Sequence, residues 1–518
     1  MKKNRRLISK LFTWSATVVF SLSVNLAGAD EKPKGKRPNI VLIVADDLGY
    51  NDLSSYGNKL ISTPNIDALV KEGTNFSQGY VSAPICSPSR AGLMTGRYQQ
   101  RFGYEFFAAT PETWGVQDQA HAEASKKALQ KFGVFYTIDG LDLAAYNKTP
   151  QGLPASEITI ASLLKNAGYK TGIIGKWNLG ETQDFIPEKY GFDYHYGFLS
   201  GGSRYGSTDD VDLVVKDLPH LYWNAQIIKY GKGPVKLRKN NEVISTTEYL
   251  TTRFGDEAAS FIEANKADPF FLYVPFNAPH DPLMAKKEDF AGVTTTRDST
   301  KRVYEAMVKS LDDAVGTITK KLSDLGLDKN TLIIFTSDNG GAMYTHVYDN
   351  KPLRAGKATH FEGGIRVPYI AKYPGTIPAS KIYNNPVSTL DFLPTIAAAA
   401  GVKLPEHVFY DGVNLLPFVN GKVTGIPHQT LYWRSGWAKA IRSGDYKLYI
   451  NEKEHKKLLF NIKEDLSEQH DLSQKNPDKV SELNTRLLQW EKTLAPPAWP
   501  SVWYMEYKNG DEVNYFPI

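Results

Sequence analysis

Four oxygen-bearing side chains stand at the ends of two apolar segments, and together they could hold a divalent cation. Asp46 and Asp47 directly follow one apolar run. Asp338 and Asn339 directly follow another. Adjacent aspartates alone are more often a solvated turn, but a second pair at an equivalent position favours a metal site. Oxygen ligands without a neighbouring histidine or cysteine favour calcium or magnesium over zinc.

The single cysteine, Cys86, is the candidate nucleophile. It cannot form an internal disulfide, so the fold must depend on its apolar core. Pro88 and Gly96 favour a short helix that begins beside Cys86. Free N–H groups at a helix N-terminus favour negative charge, which would activate the thiol and attract an anionic substrate. The alternative is an inert, buried thiol at the start of a helix.

Strand-like and helix-like segments alternate along most of the sequence. This pattern predicts an α/β fold with a large, mostly parallel central sheet flanked by helices. The predicted strands are 39–45, 169–174, 270–275 and 331–336, and the predicted helices are 158–167, 251–264 and 304–325. Ligands of such sheets bind beyond the carboxyl ends of the strands. Lys176 and His280 also follow predicted strands, so we expect them beside the two metal-binding pairs.

The pattern changes after about residue 420. Short strand-like pieces separated by turns, followed by a helix at about 477–494, predict a smaller C-terminal subdomain with an antiparallel sheet and a helix over 421–518. The catalytic domain would then occupy 30–420. Residues 104–151 are predicted to be an irregular excursion that faces the substrate, and the aromatic tail from Pro496 is predicted to pack back on the body.

The first 29 residues are typical of a secretory signal peptide. A basic segment precedes an apolar run from Leu11 to Leu26, and small residues follow at 27–29. We therefore predict an exported protein, periplasmic or secreted, and the alternative is an uncleaved membrane anchor. This segment accounts for the formal charge of +5. Because the remainder is balanced, the sequence predicts no nucleic-acid partner, and no later segment suits a stable membrane anchor.

The residues around the cysteine closely resemble the signature of the type I, formylglycine-dependent sulfatases of the alkaline-phosphatase-like superfamily. The sequence reads Cys86-x-Pro-Ser-Arg90, and Leu93-x-Thr-Gly-Arg97 follows. The other matching segments are 39–49, 175–180, 277–280, 337–341, 352–357, 362–368 and 459–472. The resemblance thus covers nearly the whole chain after the leader, and motifs in this order are highly specific.

The resemblance implies hydrolysis of sulfate esters by formylglycine, which maturation machinery of the formylglycine-generating or anaerobic sulfatase-maturating kind makes from Cys86 during export. One hydroxyl of the hydrated aldehyde attacks sulfur, and the other loses its proton and expels sulfate. The resemblance also implies one calcium ion, whose ligands are Asp46, Asp47, Asp338 and Asn339. The implied contacts of the nucleophile and the sulfate are Arg90, Lys176, His280 and Lys357, of which His280 or Lys357 could protonate the leaving oxygen.

Asn178 departs from the family pattern. The segment 175–180 usually reads Gly-Lys-Trp-His-Leu-Gly, and the missing histidine is credited with helping sulfate leave. An amide can hold a hydroxyl but cannot accept its proton at neutral pH. We therefore expect another group to take over, or a different elimination step, and the candidate replacements are His195, His346 and His360.

Export and 12% aromatic residues favour a sulfated carbohydrate as substrate, because aromatic faces stack on sugar rings. The candidate substrate contacts are Tyr104, Arg204 and Tyr205, and Arg204 lies in a glycine-rich segment that could present it to a carboxylate or a second sulfate. Carrageenan-like galactans and glycosaminoglycans are the favoured classes. The alternatives are a phosphate or phosphonate ester hydrolase of the same superfamily, and a noncatalytic carbohydrate-binding relative.

Overall fold

The computed structural model of the protein describes residues 37–221, 224, 229–348, 350–509 and 512–518. The predicted signal peptide, 1–29, lies outside the described residues. In the part of the chain that is described, no helix is both long and apolar enough to cross a bilayer.

A ten-stranded sheet forms the centre of the protein, and its five middle strands are parallel. Most of the outer pairs are antiparallel. In order across the sheet, the strands are Lys381–Tyr383, Thr74–Phe76, Tyr369–Lys372, Thr331–Ser337, Asn39–Asp46, Phe270–Pro279, Lys170–Lys176, Tyr194–Phe198, Val235–Lys239 and Glu242–Thr246. The predicted α/β fold with a mostly parallel central sheet is confirmed.

The central strand Asn39–Asp46 is wholly buried and contributes to both faces of the sheet. Ile40 and Leu42 pack into one apolar core, whereas Val41 and Ile43 pack into the other, because successive side chains of a strand point to opposite faces. Helices Cys86–Thr95, Ile160–Asn166 and Phe392–Ala400 cover the first face. Helices Pro64–Glu72, Leu250–Ala264 and Ser299–Asp324 cover the second.

The C-terminal part contains the predicted antiparallel sheet and helix. The sheet has four strands in sequence order, Thr430–Ser435, Ala438–Ser443, Tyr446–Asn451 and Lys456–Asn461. Helix Pro477–Glu491 packs on it through Leu483, Leu487 and Trp490. The predicted boundary near residue 420 falls just after helix Leu416–Val419, and residues Arg37–Ile518 form one compact unit.

Residues 104–151 are more regular than the sequence predicts. They contain helix Gln119–Gln130 and strand Val134–Tyr136, which pairs with Trp503–Asn509 of a C-terminal hairpin. The second strand of the hairpin is Glu512–Pro517. The prediction that the tail packs back is confirmed, and the prediction that residues 104–151 lack regular structure is wrong. A three-residue strand whose partner lies more than 350 residues away along the chain leaves no local pattern.

Short elements complete the fold. Two-stranded sheets pair Gly79–Tyr80 with Val387–Ser388 and Leu213–Lys216 with Leu283–Lys286. The short helices are Pro111–Trp114, Leu143–Tyr146, Lys287–Gly292 and Glu362–Ile365.

A buried ionic cluster joins the C-terminal sheet to the catalytic part. Lys447 Nζ lies 3.0 Å from Glu362 Oε1 and 2.9 Å from Glu468 Oε1, and the three side chains are fully buried. Burial opposes ionisation of Glu362, but Lys447 and two arginines hold its pKa down at about 2. Burial and the charge of Glu362 raise the pKa of Glu468 to about 7. The single positive charge of Lys447 therefore faces two buried carboxyl groups and stabilises the charged form of each.

We expect Lys447→Met to lower the free energy of unfolding by about 3–5 kcal/mol at neutral pH, because it removes the cation that faces buried Glu468 and leaves Glu362 with its arginines alone. The loss should shrink as pH falls, since protonation neutralises the stranded carboxylates. Thermal unfolding followed by circular dichroism at two pH values measures both effects. Exposed Lys457 on the neighbouring strand provides the matched control, Lys457→Met. Equal unfolding temperatures for the two variants would contradict the assignment.

Candidate active site

The predicted acid and amide pairs meet at the carboxyl edge of the sheet. Asp46 ends the central strand and Asp338 follows its parallel neighbour, Thr331–Ser337, in register. The backbone N–H of Asp47 donates to Asp338 Oδ1 at 3.2 Å. Asn339 Nδ2 donates to Asp47 Oδ1 at 2.7 Å. All four side chains are fully buried, so the sequence prediction that they lie together is confirmed by geometry.

Cys86 lies against this cluster. It begins helix Cys86–Thr95, every residue of which is buried. Single ligand atoms of Asp46, Asp47, Cys86 and His280 all lie within 4.8 Å of one another. The side chain of Cys86, the only cysteine of the chain, therefore lies where it could contact a bound metal ion and also react with a substrate.

Four basic side chains surround the carboxylates. Lys176 Nζ lies 2.6 Å from Asp46 Oδ2, and Lys357 Nζ lies 2.8 Å from Asp47 Oδ1. Arg90 Nη2 lies 2.7 Å from Asp338 Oδ2, and its Nη1 donates to the backbone carbonyl of Lys176 at 3.0 Å. His280 Nε2 lies 3.6 Å from Asp47 Oδ2. The structure thus brings together every predicted metal ligand and the four predicted basic contacts.

The acid and amide cluster has the composition and the free oxygens that a hard cation requires. Asp46 Oδ1 and Asn339 Oδ1 are buried and have no hydrogen-bond partner among the described residues. An unsatisfied buried oxygen is costly, and a divalent cation would satisfy both. Three carboxylates and one amide supply oxygen ligands only, as calcium prefers. The residues present therefore fit a calcium ion.

Burial and neighbouring charges shift the pKa values of the side chains in the cluster. Burial opposes ionisation of Asp46, but Lys176, His280 and Arg90 together hold its pKa below the usual range. Burial raises the pKa of Asp338, and the neighbouring charge of Asp46 adds to the rise. Burial and the Asp47 carboxylate act in opposite directions on Lys357, and its pKa ends well above the usual value. Lys357 is accordingly a permanent positive charge in the site.

The unmodified thiol of Cys86 is not activated. Burial raises its pKa to about 11, although Lys176 and Lys357 favour the thiolate. The prediction that this thiol is activated is wrong, because burial outweighs the two lysines and the carboxylates of Asp46 and Asp338 add to the rise in its pKa. A protonated thiol is a poor nucleophile at neutral pH, which favours chemical conversion of the side chain before catalysis.

Asn178 follows strand Lys170–Lys176 with a left-handed φ of 56°. Its side chain is fully buried, and neither amide atom has a hydrogen-bond partner within the described part of the chain. The candidate replacements do not line the cavity of Cys86. His195 lies near Glu188, and burial lowers the pKa of His360 to about 3. The third candidate, His346, packs against His220.

We expect Asn178→His to leave the turnover number unchanged or lower, because imidazole is larger than the buried amide and must displace packed neighbours. Sulfate release under saturating substrate measures it, and inhibition by inorganic sulfate reports whether the anion site is intact. Asn178→Ala is the control for loss of the amide alone. A gain of about 10²–10⁴, the usual contribution of a general base, would show instead that the native site merely lacks the histidine.

The three predicted substrate contacts do not face the cavity. Tyr104 is fully buried and its hydroxyl lies 2.6 Å from Ser87 Oγ. Tyr205 is fully buried and its hydroxyl donates to the carbonyl of His280 at 2.8 Å. The Arg204 guanidinium donates to the backbone carbonyls of Gly206, Gly231, Gly233 and Pro234. The prediction that these three residues contact substrate is therefore corrected. The two tyrosines hold groups of Ser87 and His280 beside the reaction centre. Arg204 holds a loop, because backbone carbonyls rather than a ligand accept from its guanidinium.

A cavity of about 400 Å³ opens onto Cys86, His280 and Lys357. Its other lining residues include Phe107, Trp114, Glu181, Gly201, Gly202, Tyr344, Trp503, Met505 and Ile518. Phe107 and Trp114 are among the aromatic residues that the sequence offers as candidates to stack on a sugar ring, and both line the cavity. Glu181 directly follows the 175–180 segment but matches no motif, whereas Met505 and Ile518 reach the site through the C-terminal hairpin and carry no local signal.

The carboxyl edge of the mostly parallel sheet carries a candidate cation site, four basic side chains and a cysteine, an arrangement suited to the hydrolysis of anionic esters. The profile of the family described as Sulfatase matches residues 38–402. That of N-sulphoglucosamine sulphohydrolase, C-terminal, matches residues 356–492. The chain belongs to the sulfatase family, within the type I enzymes of the alkaline-phosphatase-like superfamily, and is a sulfuric ester hydrolase.

Several characterised proteins are similar over most of the chain. N-acetylgalactosamine-6-sulfatase of Rattus norvegicus is 36% identical over 444 residues, 84% of this chain and 74% of that protein. Steryl-sulfatase of Homo sapiens is 33% identical over 472 residues, 80% of this chain and 75% of that protein. A solved structure described as Ps i-CgsB in complex with k-i-k-neocarrahexaose is 36% identical with a TM-score of 0.74, and the match covers 90% of this chain and 95% of that one.

Proposed function

We propose that the protein releases inorganic sulfate from a sulfated carbohydrate through a formylglycine residue made from Cys86. The observation that carries the proposal is the position of Cys86, buried and within 4.8 Å of Asp46, Asp47 and His280. A hydrated formylglycine supplies two hydroxyls on one carbon, one to attack sulfur and one to expel sulfate. The raised pKa of the unmodified thiol supports this over direct attack by sulfur.

Arg90 and Lys176 hold the reacting groups in place. Arg90 joins Asp338 to the carbonyl of Lys176, and Lys176 in turn contacts Asp46, so the two cations are fixed before substrate arrives. A sulfate monoester carries negative charge on its nonbridging oxygens and gains charge on the leaving oxygen. Preorganised donors aimed at such charge typically contribute about 3–4 kcal/mol each to lowering the barrier.

We assign the cation site to calcium, held by Asp46, Asp47, Asp338 and Asn339. A bound divalent ion would add positive charge beside the sulfate oxygens and residue 86. It would also relieve the crowding of three buried carboxylates, two of which, Asp46 and Asp338, influence each other's ionisation.

His280 and Lys357 are the candidates for protonating the leaving oxygen. Both line the cavity, and His280 keeps 13% of its side chain exposed while Lys357 keeps 6%. The hydroxyl of Tyr205 holds the His280 carbonyl and fixes the loop that carries the ring. Because the pKa of Lys357 is raised, Lys357 suits charge stabilisation, which leaves proton transfer to His280.

A carbohydrate substrate is supported by two relatives at similar identity. One is named N-acetylgalactosamine-6-sulfatase, and the other is described in complex with k-i-k-neocarrahexaose. We keep carrageenan-like galactans and glycosaminoglycans as the two favoured classes. A panel of sulfated oligosaccharides from both classes, assayed for free sulfate with matured, calcium-loaded protein, tests the proposal. Release from neither class would contradict it.

A phosphate or phosphonate ester hydrolase is the second candidate. A phosphonate monoester hydrolase of Agrobacterium radiobacter shares the fold, with a TM-score of 0.59 at 18% identity. Phosphatases with two zinc ions need several histidine ligands, whereas here Lys176 and Lys357 supply positive charge beside Asp46 and Asp47, which favours sulfate over phosphate. The ratio of aryl sulfate to aryl phosphate turnover separates the two, and we expect aryl sulfate to be faster.

The proposal includes export and maturation. The basic and apolar leader over 1–29 would direct the chain to the periplasm or the medium, and a formylglycine-generating or anaerobic sulfatase-maturating enzyme would act on Cys86 on the way. Mass spectrometry of the tryptic peptide that ends at Arg90 reports the conversion.

A further inference from the structure

Glu181 is an acidic residue of the catalytic cavity that the reaction as proposed does not use. The cavity holds Cys86, His280 and Lys357, together with Asp281, whose carboxylate lies 3.6 Å from His280 Nδ1. Asp281 therefore belongs to the reaction centre. Glu181 instead contacts the segment that carries Trp114.

The Glu181 carboxylate is fixed by donors from two other segments. Its Oε2 accepts from the backbone N–H of Thr110 at 3.2 Å and from Thr113 Oγ1 at 3.1 Å. The backbone N–H of Gly201 also donates to it. Because these partners are donors, the group acts as an acceptor, and a carboxylate has about four acceptor positions. Acceptor capacity therefore remains for a ligand in the cavity.

The loop that holds Glu181 also adjoins the reaction centre. A Cβ added at Gly201 would lie 2.3 Å from the Phe107 ring, and one at Gly202 would lie 4.0 Å from His280 Cε1. Gly201 donates to Glu181 and the next residue, Gly202, lies beside His280, so this loop extends from Glu181 to the reaction centre. A sugar whose sulfate lies at His280 and Cys86 would extend past this loop to Glu181.

Apolar side chains line another part of the cavity. Trp114, Met505 and Ile518 are buried, Trp503 is partly buried, and all four contribute apolar surface to the cavity. Such a surface suits the apolar face of a sugar ring, while a nearby acceptor suits a ring hydroxyl. A carboxylate or second sulfate at that position would face Glu181 with like charge, which is destabilising.

We propose that Glu181 is a specificity-determining residue that accepts a hydrogen bond from a hydroxyl of the sulfated sugar and disfavours a second anionic substituent there. The inference rests on the proposed function and narrows the substrate to a sugar residue whose sole anionic group within the cavity is the scissile sulfate.

The test compares three probes in the matured, calcium-loaded protein. They are 4-nitrophenyl sulfate, a galactose monosulfate, and the galactose disulfate that carries the same scissile ester. Glu181→Gln keeps an oxygen for Thr110 and Thr113 but removes the charge. Exposed Glu112, on the short helix Pro111–Trp114 that carries Thr113, supplies the matched control, Glu112→Gln. The readout is kcat/KM for each probe.

We expect the native protein and E112Q to prefer the monosulfate over the disulfate by about tenfold or more, the cost of one like-charge contact. E181Q should reduce that preference several-fold and leave 4-nitrophenyl sulfate within about twofold. An unchanged preference in E181Q would overturn the inference, and so would an equal loss on all three probes, which indicates a purely structural role. If the native protein released sulfate from none of these probes and from no oligosaccharide of the panel described above, the proposed function itself would fail.

Discussion

Cys86→Ser should lower the turnover of matured protein by about 10⁴-fold or more, the scale on which loss of a nucleophile has been measured in other hydrolases. Serine provides one hydroxyl at the correct position but lacks the second hydroxyl through which a hydrated aldehyde releases sulfate. It could therefore attack once and stall. Steady-state sulfate release from an aryl sulfate measures the loss, and intact-protein mass after mixing shows whether sulfate stays attached.

The Cys86→Ser variant should fold normally, because the side chain is small and wholly buried at the start of a helix. Circular dichroism and calcium-dependent thermal stability are the controls. Cys86→Ala separates the first step from the second, since it provides no hydroxyl at all. Turnover of either variant within about tenfold of the matured protein would contradict a nucleophile at position 86.

Asp46→Asn should have the next largest effect, a loss of about 10³-fold or more in kcat/KM. It removes one carboxylate from the cation site and leaves Lys176, which lies 2.6 Å from Asp46, without its partner. Loss of the carboxylate weakens calcium binding. Loss of the ion pair displaces the Lys176 ammonium, a cation that faces the sulfate. Removal of one electrostatic contact in such a site typically costs about 10²–10³ in kcat. Asp46→Asn removes a calcium ligand and also disturbs the position of Lys176.

Calcium titration of thermal stability distinguishes loss of the ion from loss of the fold. Native protein should gain stability with added calcium, because an ion that binds only the folded state stabilises it, and D46N should gain much less. Asp312 is a buried aspartate that accepts from the backbone N–H of Ile66 at 2.8 Å, outside the cavity. The control D312N should keep both activity and the calcium response. Equal calcium responses in D46N and D312N would be evidence against the assigned ligands.

The sequence predicts the positions that lie at strand ends. Asp46 and Asp338 end neighbouring parallel strands, so sheet topology alone brings them together. Lys176 and His280 are placed by the same rule. Lys357 is different: no predicted strand precedes it, and only the resemblance of its motif indicated its place. The parallel sheet was predictable because buried parallel strands are long and strongly apolar.

The walls of the cavity could not be predicted in the same way. Met505 and Ile518 reach it through a hairpin that pairs with Val134–Tyr136, a contact that no local pattern records. Tyr104 and Tyr205 have residue types that suit sugar binding, but burial and hydrogen bonds to their neighbours decide their role. The thiol of Cys86 shows the same limit, because its pKa depends on burial that the helix pattern does not reveal.

The most direct measurement relates sulfate release to the chemical state of residue 86. Preparations that contain different fractions of formylglycine, quantified on the same peptide, are loaded with calcium and assayed on one sulfate ester. Activity should rise in proportion to the oxidised fraction and extrapolate to zero for the thiol form. Equal activity in preparations with and without the aldehyde, or none from fully oxidised, calcium-loaded protein, would contradict the account.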